Sequence, residues 1–305
     1  INMFFFYQLI LSIILLFSPI IILYRIFKGK EHKKRFLEKF SFPTKKRKKG
    51  NLIWFHGASV GELMSIIPLI KYYEKNKFID QILVTSSTLS SSKIIDKYKF
   101  KKTCHQFYPI DQFIFTQKFL NFWKPNLAIY VDSEIWPGMF KNLNDTKIPL
   151  ILLNARITRK TFKRWMKVKN FAKSVFDNIK IAYPQNNETK VFLKKLKIKN
   201  LNYLGNLKFA ENPDDNFNDF KNKINSEIKK KKVWIASSTH KNEEVFCAKV
   251  HIKLKKKVKN LLTIIIPRHI NRVEKIIYEI NKLNLKTVCH SQNPQNFDDI
   301  DVYIV

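Results

Sequence analysis

Between Leu52 and Leu204, short apolar runs alternate with longer stretches of helical periodicity, and this alternation constrains the fold more than any other feature. The runs are apolar throughout, which is typical of strands that helices cover on both faces. The predicted strands are Leu52–Phe55, Gln81–Thr85, Gln106–Tyr108, Leu127–Val131, Leu150–Leu153, Ile179–Ala182 and Asn202–Leu204. The predicted helices are Glu62–Tyr73, Phe113–Trp123, Thr161–Val175 and Glu188–Leu196. The pattern predicts a doubly wound α/β domain over residues 51–209.

The same alternation returns after a polar segment. Residues 210–231 lack a sustained apolar face, which predicts a linker. Residues 232–305 then contain the predicted strands Val233–Ala236, Leu261–Ile266, Thr287–Cys289 and Val302–Val305 and the predicted helices Glu243–Lys255 and Asn271–Leu283. A doubly wound domain typically has about 100 residues or more. We therefore expect a second α/β domain that is incomplete.

The N-terminal residues 1–24 contain no charged side chain and are dominated by Phe, Ile and Leu. A helix of this length can cross a bilayer core of about 30 Å. Residues 25–50 are rich in Lys and Arg, and the positive-inside bias then places the rest of the chain on the cytoplasmic side. We expect an uncleaved, single-pass transmembrane helix in the inner membrane, followed by a basic juxtamembrane segment that attracts anionic lipids. A cleaved signal peptide and a buried core helix are the alternatives.

The chain is strongly basic, with 57 Lys and Arg against 24 Asp and Glu and a formal net charge of +33. Such a charge indicates an anionic partner, such as nucleic acid, a phosphate-bearing lipid or a membrane surface. The alternative is compositional drift, because Lys, Asn, Ile and Phe are abundant while only 6 residues are Gly. The three cysteines form no C-x-x-C pair, so the sequence indicates neither a disulfide framework nor a zinc site.

The stretch Ile53–Leu63 offers the first candidate for chemistry. An apolar run passes through small residues and delivers Glu62 at the start of a helical pattern. This arrangement places a carboxylate at a helix N-terminus on the ligand-binding edge of a parallel sheet. Glu62 is therefore a candidate general base for a hydroxyl nucleophile. The alternative is that Glu62 only caps the helix.

Two more strands end in residues suited to bind a sugar or an anion. Asp132 and Glu134 follow the predicted strand Leu127–Val131, and such an acid pair can bind sugar hydroxyls or stabilise positive charge. The alternative is that Asp132 or Ser133 caps the helix in whose first turn Pro137 lies. Arg156 closes the next strand and is a candidate ligand for a phosphate or carboxylate.

Further candidates lie beyond residue 200. Lys208 ends a G-N-L-K stretch at the end of the first predicted domain. In the second, an S-T-H stretch ending at His240 follows a strand and precedes two glutamates, as at an anion-binding helix N-terminus. Pro267 and Arg268 follow the strand Leu261–Ile266, where an arginine can neutralise the phosphate of a nucleotide donor.

In this order and spacing, the motifs resemble those of the 3-deoxy-D-manno-octulosonic acid (Kdo) transferases of lipopolysaccharide assembly. The resemblance covers nearly the whole chain and rests on an N-terminal anchor with a basic segment, H-x-x-S-x-G-E (His56 to Glu62), the acid pair before Trp136 and Pro137, N-A-R, G-N-L-K, S-T-H with its two glutamates, and P-R-H. It implies an inverting glycosyltransferase of the GT-B type, with two Rossmann-like domains facing a cleft. The implied reaction transfers Kdo from CMP-Kdo to the lipid A precursor lipid IVA, without a metal or another cofactor.

The resemblance also implies roles for individual residues. Glu62 matches the family's general base, and Lys208 matches a residue that stabilises the transition state. Asp132 falls where the family has a glutamate, so its side chain is shorter by one methylene. Pro267 and Arg268 match part of the CMP-binding surface, while two further CMP-contacting stretches have no counterpart here.

Rival interpretations are a non-catalytic, membrane-tethered module that binds anionic lipid or nucleic acid, and an inactive, truncated remnant of the transferase. In the enzyme interpretation the partners are CMP-Kdo, the lipid A precursor and the anionic lipids of the inner membrane, and no nucleic acid is expected.

Overall fold

The computed structural model describes residues 3–207, 228, 231–292 and 296–305. The chain divides into two compact units, Ile1–Glu211 and Asn212–Val305. The cleft between two domains stays a prediction, and the predicted linker 210–231 lies almost wholly outside the described residues.

The first unit is built on a six-stranded parallel sheet with the strand order β3-β2-β1-β4-β5-β6. Strands β1 to β6 are Leu52–His56, Gln81–Ser86, Thr103–Phe107, Leu127–Val131, Leu150–Ala155 and Ile181–Pro184. Six of the predicted strands are confirmed, although β3 begins three residues before its predicted start and β6 begins two residues after its predicted start. The seventh, Asn202–Leu204, is wrong, since only a single bridge joins Leu201 to Ala182 there. The order reverses between β1 and β4, where open α/β sheets bind ligands.

Helices connect these strands, and they differ from the predicted ones in two ways. Helices α3 to α9 are Val60–Lys75, Leu89–Lys97, Phe113–Trp123, Pro137–Asp145, Arg159–Lys167, Lys169–Phe176 and Asn187–Lys195. The predicted helix Thr161–Val175 is interrupted at Val168, whose backbone leaves the helical region with φ −124° and ψ 52°. Helix α4 was not predicted, because serines fill its first turn, and α6 was predicted only as a helix start at Pro137, without an end.

Helices cover both faces of this sheet, as the continuous apolar runs indicate. Successive residues of β1 enter different cores: Trp54 packs in one cluster, while Ile53 and Phe55 pack in another on the opposite face. All three side chains are at most 5% exposed. The doubly wound α/β prediction for this unit is confirmed.

The one continuous apolar helix that the N-terminal sequence predicts is not found, and a membrane anchor stays a prediction. The N-terminal residues form two helices, α1 (Met3–Leu16) and α2 (Ser18–Phe27), with a bend of 55° between them. A new helix begins here because Pro19 lacks an amide N–H and is tolerated only in a first turn. Within the described residues no single helix is both long and apolar enough to cross a bilayer, whereas the bent pair meets the length and composition requirements.

The basic segment after α2 packs against β3. A 3₁₀ helix, Phe36–Phe40, places the buried Glu38 where its carboxylate accepts the Phe107 amide N–H at 2.7 Å. Arg35 binds the same carboxylate and donates to the His105 carbonyl oxygen at 2.8 Å. The Ile110 amide N–H donates to the Lys39 carbonyl oxygen. Part of this segment's positive charge is therefore engaged inside the first unit.

The second unit contains a four-stranded parallel sheet with the order β7-β8-β10-β9. Its strands β7 to β10 are Lys232–Thr239, Leu261–Pro267, Thr287–Cys289 and Val302–Ile304. Among the described residues 231–292 and 296–305, its α-helices are α10 (Glu243–Lys255) and α11 (Val273–Asn281). A 3₁₀ turn, Ile270–Arg272, replaces the start of the predicted helix Asn271–Leu283. The predicted α/β character of this unit is confirmed.

Candidate functional site

Glu62 lies at the carboxyl edge of β1, in the first turn of α3. Its Oε2 accepts the amide N–H groups of Ala58 at 2.6 Å and Ser59 at 3.3 Å. The Ser59 hydroxyl accepts the Glu62 N–H in return, which completes a capping box. The helix N-terminus therefore fixes this carboxylate in position. The capping alternative is confirmed as a contact, and the role of general base stays a prediction.

The surroundings of Glu62 make it more basic than an exposed glutamate. Partial burial raises the pKa of Glu62, and the nearby negative charge of Glu134 raises it further. The hydrogen bonds from Ala58 and Ser59 oppose this change but do not cancel it. A carboxylate with a raised pKa is better suited to accept a proton from a hydroxyl group.

A fully buried histidine lies behind this edge. The ring of His56 stacks on Tyr108 with a centroid distance of 3.9 Å. Its Nδ1 lies 3.0 Å from the hydroxyl oxygen of Thr85, which is its partner in the parallel register of β1 and β2. Its Nε2 lies 3.3 Å from Glu134 Oε2. His56 thus connects β2 with the acid that follows β4.

Glu134 is held by two nitrogens. Besides His56 Nε2, the Trp136 indole N–H donates to Oε2 at 2.9 Å. Burial acts to raise the pKa of Glu134, but its hydrogen bond and charge interaction with His56 and the bond from Trp136 outweigh burial and lower it. The two acids beside β1 and β4 therefore have pKa values displaced in opposite directions.

Asp132 follows β4 directly and is 4% exposed. Its backbone is left-handed, with φ 65°. Its amide N–H donates to the Leu153 carbonyl oxygen and its own carbonyl oxygen accepts the Arg156 N–H, each at 3.0 Å. The structure thus joins the ends of β4 and β5, and with them the D-S-E and N-A-R stretches, at one sheet edge.

Neither Asp132 nor Ser133 caps the following helix, so that alternative is wrong. The N-cap position of α6 is Trp136, which makes no side-chain cap, and Pro137 does occupy the first turn as predicted. The cap comes from Asp111, whose carboxylate accepts the Gly138 and Met139 N–H groups, both at 2.7 Å. Asp132 and Ser133 therefore do not act as caps of this helix.

Arg156 is exposed at the end of β5 and lines a polar cavity of about 400 Å³. The cavity is also lined by residues at the starts of α7 and α9, among them Arg159, Asn186 and Glu188. Two guanidinium groups and two helix N-termini favour an anion there, and the Glu188 carboxylate opposes one. The predicted anion-binding role of Arg156 stays a prediction.

In the second unit, Pro267 ends β8 and Arg268 is exposed at that edge. The Arg268 amide N–H donates to the Thr239 carbonyl oxygen at the end of β7. The S-T-H and P-R-H stretches are therefore neighbours, as their positions after two strands predict. Arg268 makes no side-chain hydrogen bond or ion pair within the part of the chain that the structure describes, so its charge is available to a ligand.

A buried ion pair supports this edge. Glu244, 0% exposed, binds both terminal nitrogens of Arg272 at 3.1 Å and accepts the Thr239 hydroxyl. It links α10 to the turn that follows Arg268. Sequence reasoning missed Arg272, which carries no motif of its own.

Sequence reasoning also missed Thr85, Tyr108 and Asp111. For Thr85 the available signal was the register of a parallel sheet, since His56 pairs with Thr85 of β2. Lys208 lies outside the described residues. Among the residues that are described, no group of three or more His, Cys, Asp and Glu side chains is arranged to hold a metal ion.

Comparisons with solved structures bear on the fold. The chain superposes on a UDP-GlcNAc 2-epimerase from Neisseria meningitidis bound to UDP-GlcNAc with a TM-score of 0.57 at 11% identity, covering 83% of this chain and 71% of that one. It superposes on the S. aureus MnaA–UDP co-structure with a TM-score of 0.55 at 14% identity, covering 83% and 68%. At such identities these likenesses support the α/β, GT-B-like fold alone.

Sequence comparisons identify the family. A profile described as 3-deoxy-D-manno-octulosonic-acid transferase (kdotransferase) matches residues 34–211. The chain is 36% identical to the 3-deoxy-D-manno-octulosonic acid transferase of Rickettsia bellii over 94% of its own length and 68% of the relative's. The chain is 37% identical to the Rickettsia felis transferase over 84% of its own length and 55% of the relative's. This chain therefore spans only part of its relatives' length. The chain belongs to the 3-deoxy-D-manno-octulosonic acid transferase family.

Proposed function

We propose that this chain is the acceptor-binding and part of the donor-binding portion of an inverting glycosyltransferase. The donor is CMP-Kdo and the acceptor is the lipid A precursor lipid IVA. Family membership supports transfer of Kdo. The observation that carries the proposal is Glu62, a carboxylate of raised pKa that a capping box fixes at the sheet edge where α/β folds bind substrates.

In the proposed step, Glu62 takes the proton of the acceptor hydroxyl group as its oxygen attacks the anomeric carbon of Kdo. A lone pair of that oxygen forms the new glycosidic bond, and the O–H electron pair stays on the oxygen as the proton moves to Glu62. The bond from that carbon to the CMP phosphate breaks at the same time, and CMP leaves with its electron pair. Attack from the face opposite to CMP inverts the anomeric carbon.

The remaining candidate residues are proposed to bind the donor and to stabilise the charge that develops during transfer. Asp132, at the end of β4, replaces the family's glutamate, and Lys208 is proposed to meet negative charge on the donor. Pro267 shapes the end of β8, and Arg268 neutralises the leaving phosphate with its exposed guanidinium group. The family resemblance implies no metal, so cationic side chains and helix N-termini carry this task.

We further propose that the chain works at the cytoplasmic face of the inner membrane. Large apolar side chains of α1 and α2, among them Phe5, Leu16 and Phe27, are exposed, and Lys28, Lys30 and Lys33 that follow are exposed too. Apolar side chains beside lysines suit a bilayer with anionic head groups, where the acceptor lipid also resides.

The test is transfer itself. The full chain and its Glu62→Gln variant are incubated with CMP-Kdo and tetra-acylated lipid A precursor, and the lipid product is weighed by mass spectrometry. Because a general base contributes about 10²–10⁴-fold to rate, Glu62→Gln is expected to lose transfer by that factor while its circular dichroism spectrum stays unchanged.

Asp177→Asn serves as the matched control. It removes one negative charge from an exposed i, i+4 pair with Lys173 and should leave transfer unchanged. Transfer by Glu62→Gln at the parent rate would overturn the role of Glu62. If the parent chain bound CMP-Kdo and lipid but formed no product, the proposal of an active enzyme would be wrong.

A further inference from the structure

Glu244, in the first turn of α10, binds both ends of the segment that carries Arg268. Its Oε1 accepts the Thr239 hydroxyl and one N–H of Arg272, and its Oε2 accepts a second N–H of Arg272, each at 3.1 Å. The Thr239 carbonyl oxygen in turn accepts the Arg268 amide N–H at 3.0 Å. Arg272 closes the 3₁₀ turn that follows Arg268. One buried carboxylate therefore fixes the backbone before and after this arginine.

The end of β7 is shaped for these contacts. Thr239 pairs with Pro267 only after a shift of register beyond Ser237. The intervening Ser238 has a left-handed backbone with φ 59°, which is uncommon for a residue other than glycine. Such an irregularity in a strand redirects the side chains beside it. Here it leaves Thr239 with its hydroxyl on Glu244 and its carbonyl oxygen on Arg268.

The two arginines at this edge differ in their contacts. Arg272 binds both carboxylate oxygens of Glu244, a two-pronged contact that is stronger and more specific in geometry than a neutral hydrogen bond. It also cancels the negative charge of Glu244, which alone would oppose a phosphate. Arg268 is exposed, and its side chain makes no hydrogen bond or ion pair with the described residues. Arg272 therefore fixes the turn, and the charge of Arg268 is left for a ligand.

We propose that Glu244 is a positioning residue for donor binding. Through Thr239 and Arg272 it holds the backbone of Arg268 where the guanidinium group of that arginine meets the phosphate of CMP-Kdo. The inference rests on the proposed function, because it takes Arg268 as the phosphate ligand. Glu244 is 0% exposed, so it acts through this segment and not by touching the donor. A segment that is ordered before the donor arrives loses less conformational entropy on binding.

Calorimetric titration of the full chain with CMP measures this effect. The variants are Glu244→Gln, Arg268→Ala and the double variant that carries both changes. Glu244→Gln retains the size of the side chain and loses the charge that binds two N–H groups of Arg272. Because a hydrogen bond to a charged group contributes a factor of about 10–100 to a binding constant, we expect Arg268→Ala to weaken CMP binding by that factor. Glu244→Gln should weaken it by part of this, about 3–10-fold.

The double variant separates positioning from general damage to the second unit. If Glu244 acts through Arg268, adding Glu244→Gln to Arg268→Ala should change the CMP affinity by less than about twofold. In transfer kinetics, Glu244→Gln should raise the KM for CMP-Kdo and leave the KM for the acceptor lipid unchanged. An equal loss of CMP affinity with and without Arg268 would overturn the proposal.

Asp301, at the opposite edge of the same sheet, provides the matched control. It precedes β10, is 8% exposed and binds Lys255 and the Lys286 amide N–H. Asp301→Asn therefore removes a carboxylate charge from an ion pair of the same unit, and we expect it to keep the CMP affinity of the parent chain. A loss as large as that of Glu244→Gln would also overturn the proposal.

Arg272→Lys covers the case in which Glu244→Gln does not fold. It keeps the positive charge and gives up the two-pronged contact, so it should weaken CMP binding about threefold in the parent chain. Beside Arg268→Ala it should change the CMP affinity by less than about twofold. Parent affinity in Arg272→Lys would contradict the proposal.

The outcomes also separate this inference from the proposed function. If the parent chain binds no CMP, or if Arg268→Ala binds it as tightly as the parent, the role of Arg268 fails and the inference fails with it. If the chain transfers Kdo but Glu244→Gln keeps the parent affinity for CMP, only the inference fails. If the CMP affinities follow the expected pattern but no Kdo is transferred, only the proposed function fails.

Discussion

Replacing Glu38 by alanine tests whether the basic N-terminal segment is part of the first unit's fold. Glu38 is 0% exposed and accepts hydrogen bonds from Arg35, the Phe107 N–H and the Thr44 hydroxyl. Removing one partner of a buried ion pair costs about 3–5 kcal/mol, a range that includes the orphaned Phe107 amide. Arg35 keeps its bonds to His105 and its side chain is 18% exposed, so we expect the lower end, about 3 kcal/mol.

Urea denaturation followed by tryptophan fluorescence measures this loss. Four of the five tryptophans, Trp54, Trp123, Trp136 and Trp165, lie in the first unit, so the signal reports its unfolding. The control Asp145→Ala breaks an exposed i, i+4 pair with Lys141 and should cost no more than about 0.5 kcal/mol. A loss of less than about 1 kcal/mol for Glu38→Ala would refute the reasoning, because it would show that the segment detaches at little cost.

Three more predictions concern stability. Burial raises the pKa of Asp111 from 3.8 to about 6, so its contribution to stability is full below pH 3.8 and is lost as the pH rises through 6. This loss amounts to about 3 kcal/mol of unfolding free energy between pH 4 and pH 7. The Asp111→Asn variant should lack this loss when its unfolding free energies at the two pH values are compared. Leu63→Ala should cost about 2–5 kcal/mol in urea denaturation, since Leu63 is 0% exposed. Glu244→Ala leaves Arg272 without its carboxylate and should cost about 3 kcal/mol, seen by hydrogen exchange as faster opening of β7 and α10.

The sequence predicted best those helices and strands whose apolar residues follow a single periodicity. Strand Leu127–Val131 and helices Phe113–Trp123 and Glu243–Lys255 match their predicted bounds to the residue. The periodicity of apolar residues and the apolar content do not show where a helical pattern is broken. The interruption at Val168 and the bend before Ser18 depend on tertiary packing and on where a proline falls within an apolar run.

In the candidate site too, the residues of a local motif were predicted and the long-range contacts were not. Glu62 was found because its motif is local, a strand that turns through small residues into a helix. The contact between His56 and Glu134 joins residues 78 apart and arises only once β1 and β4 pair in register. Asp111 caps α6 from 27 residues away in sequence, where local capping rules pointed to Asp132 or Ser133. Long-range partners of this kind need the sheet register before they can be predicted.

Capping and proton transfer, which the sequence posed as alternatives for Glu62, are compatible in the structure. Both backbone N–H groups bind the same oxygen, Oε2, and Oε1 has no hydrogen-bond partner among the described residues. One oxygen therefore fixes the carboxylate on the helix start, and the other remains able to accept a proton. A base must be held within a few tenths of an ångström and still present a lone pair, and a capping box that uses a single oxygen satisfies both requirements. The cap is thus the element that positions the proposed base.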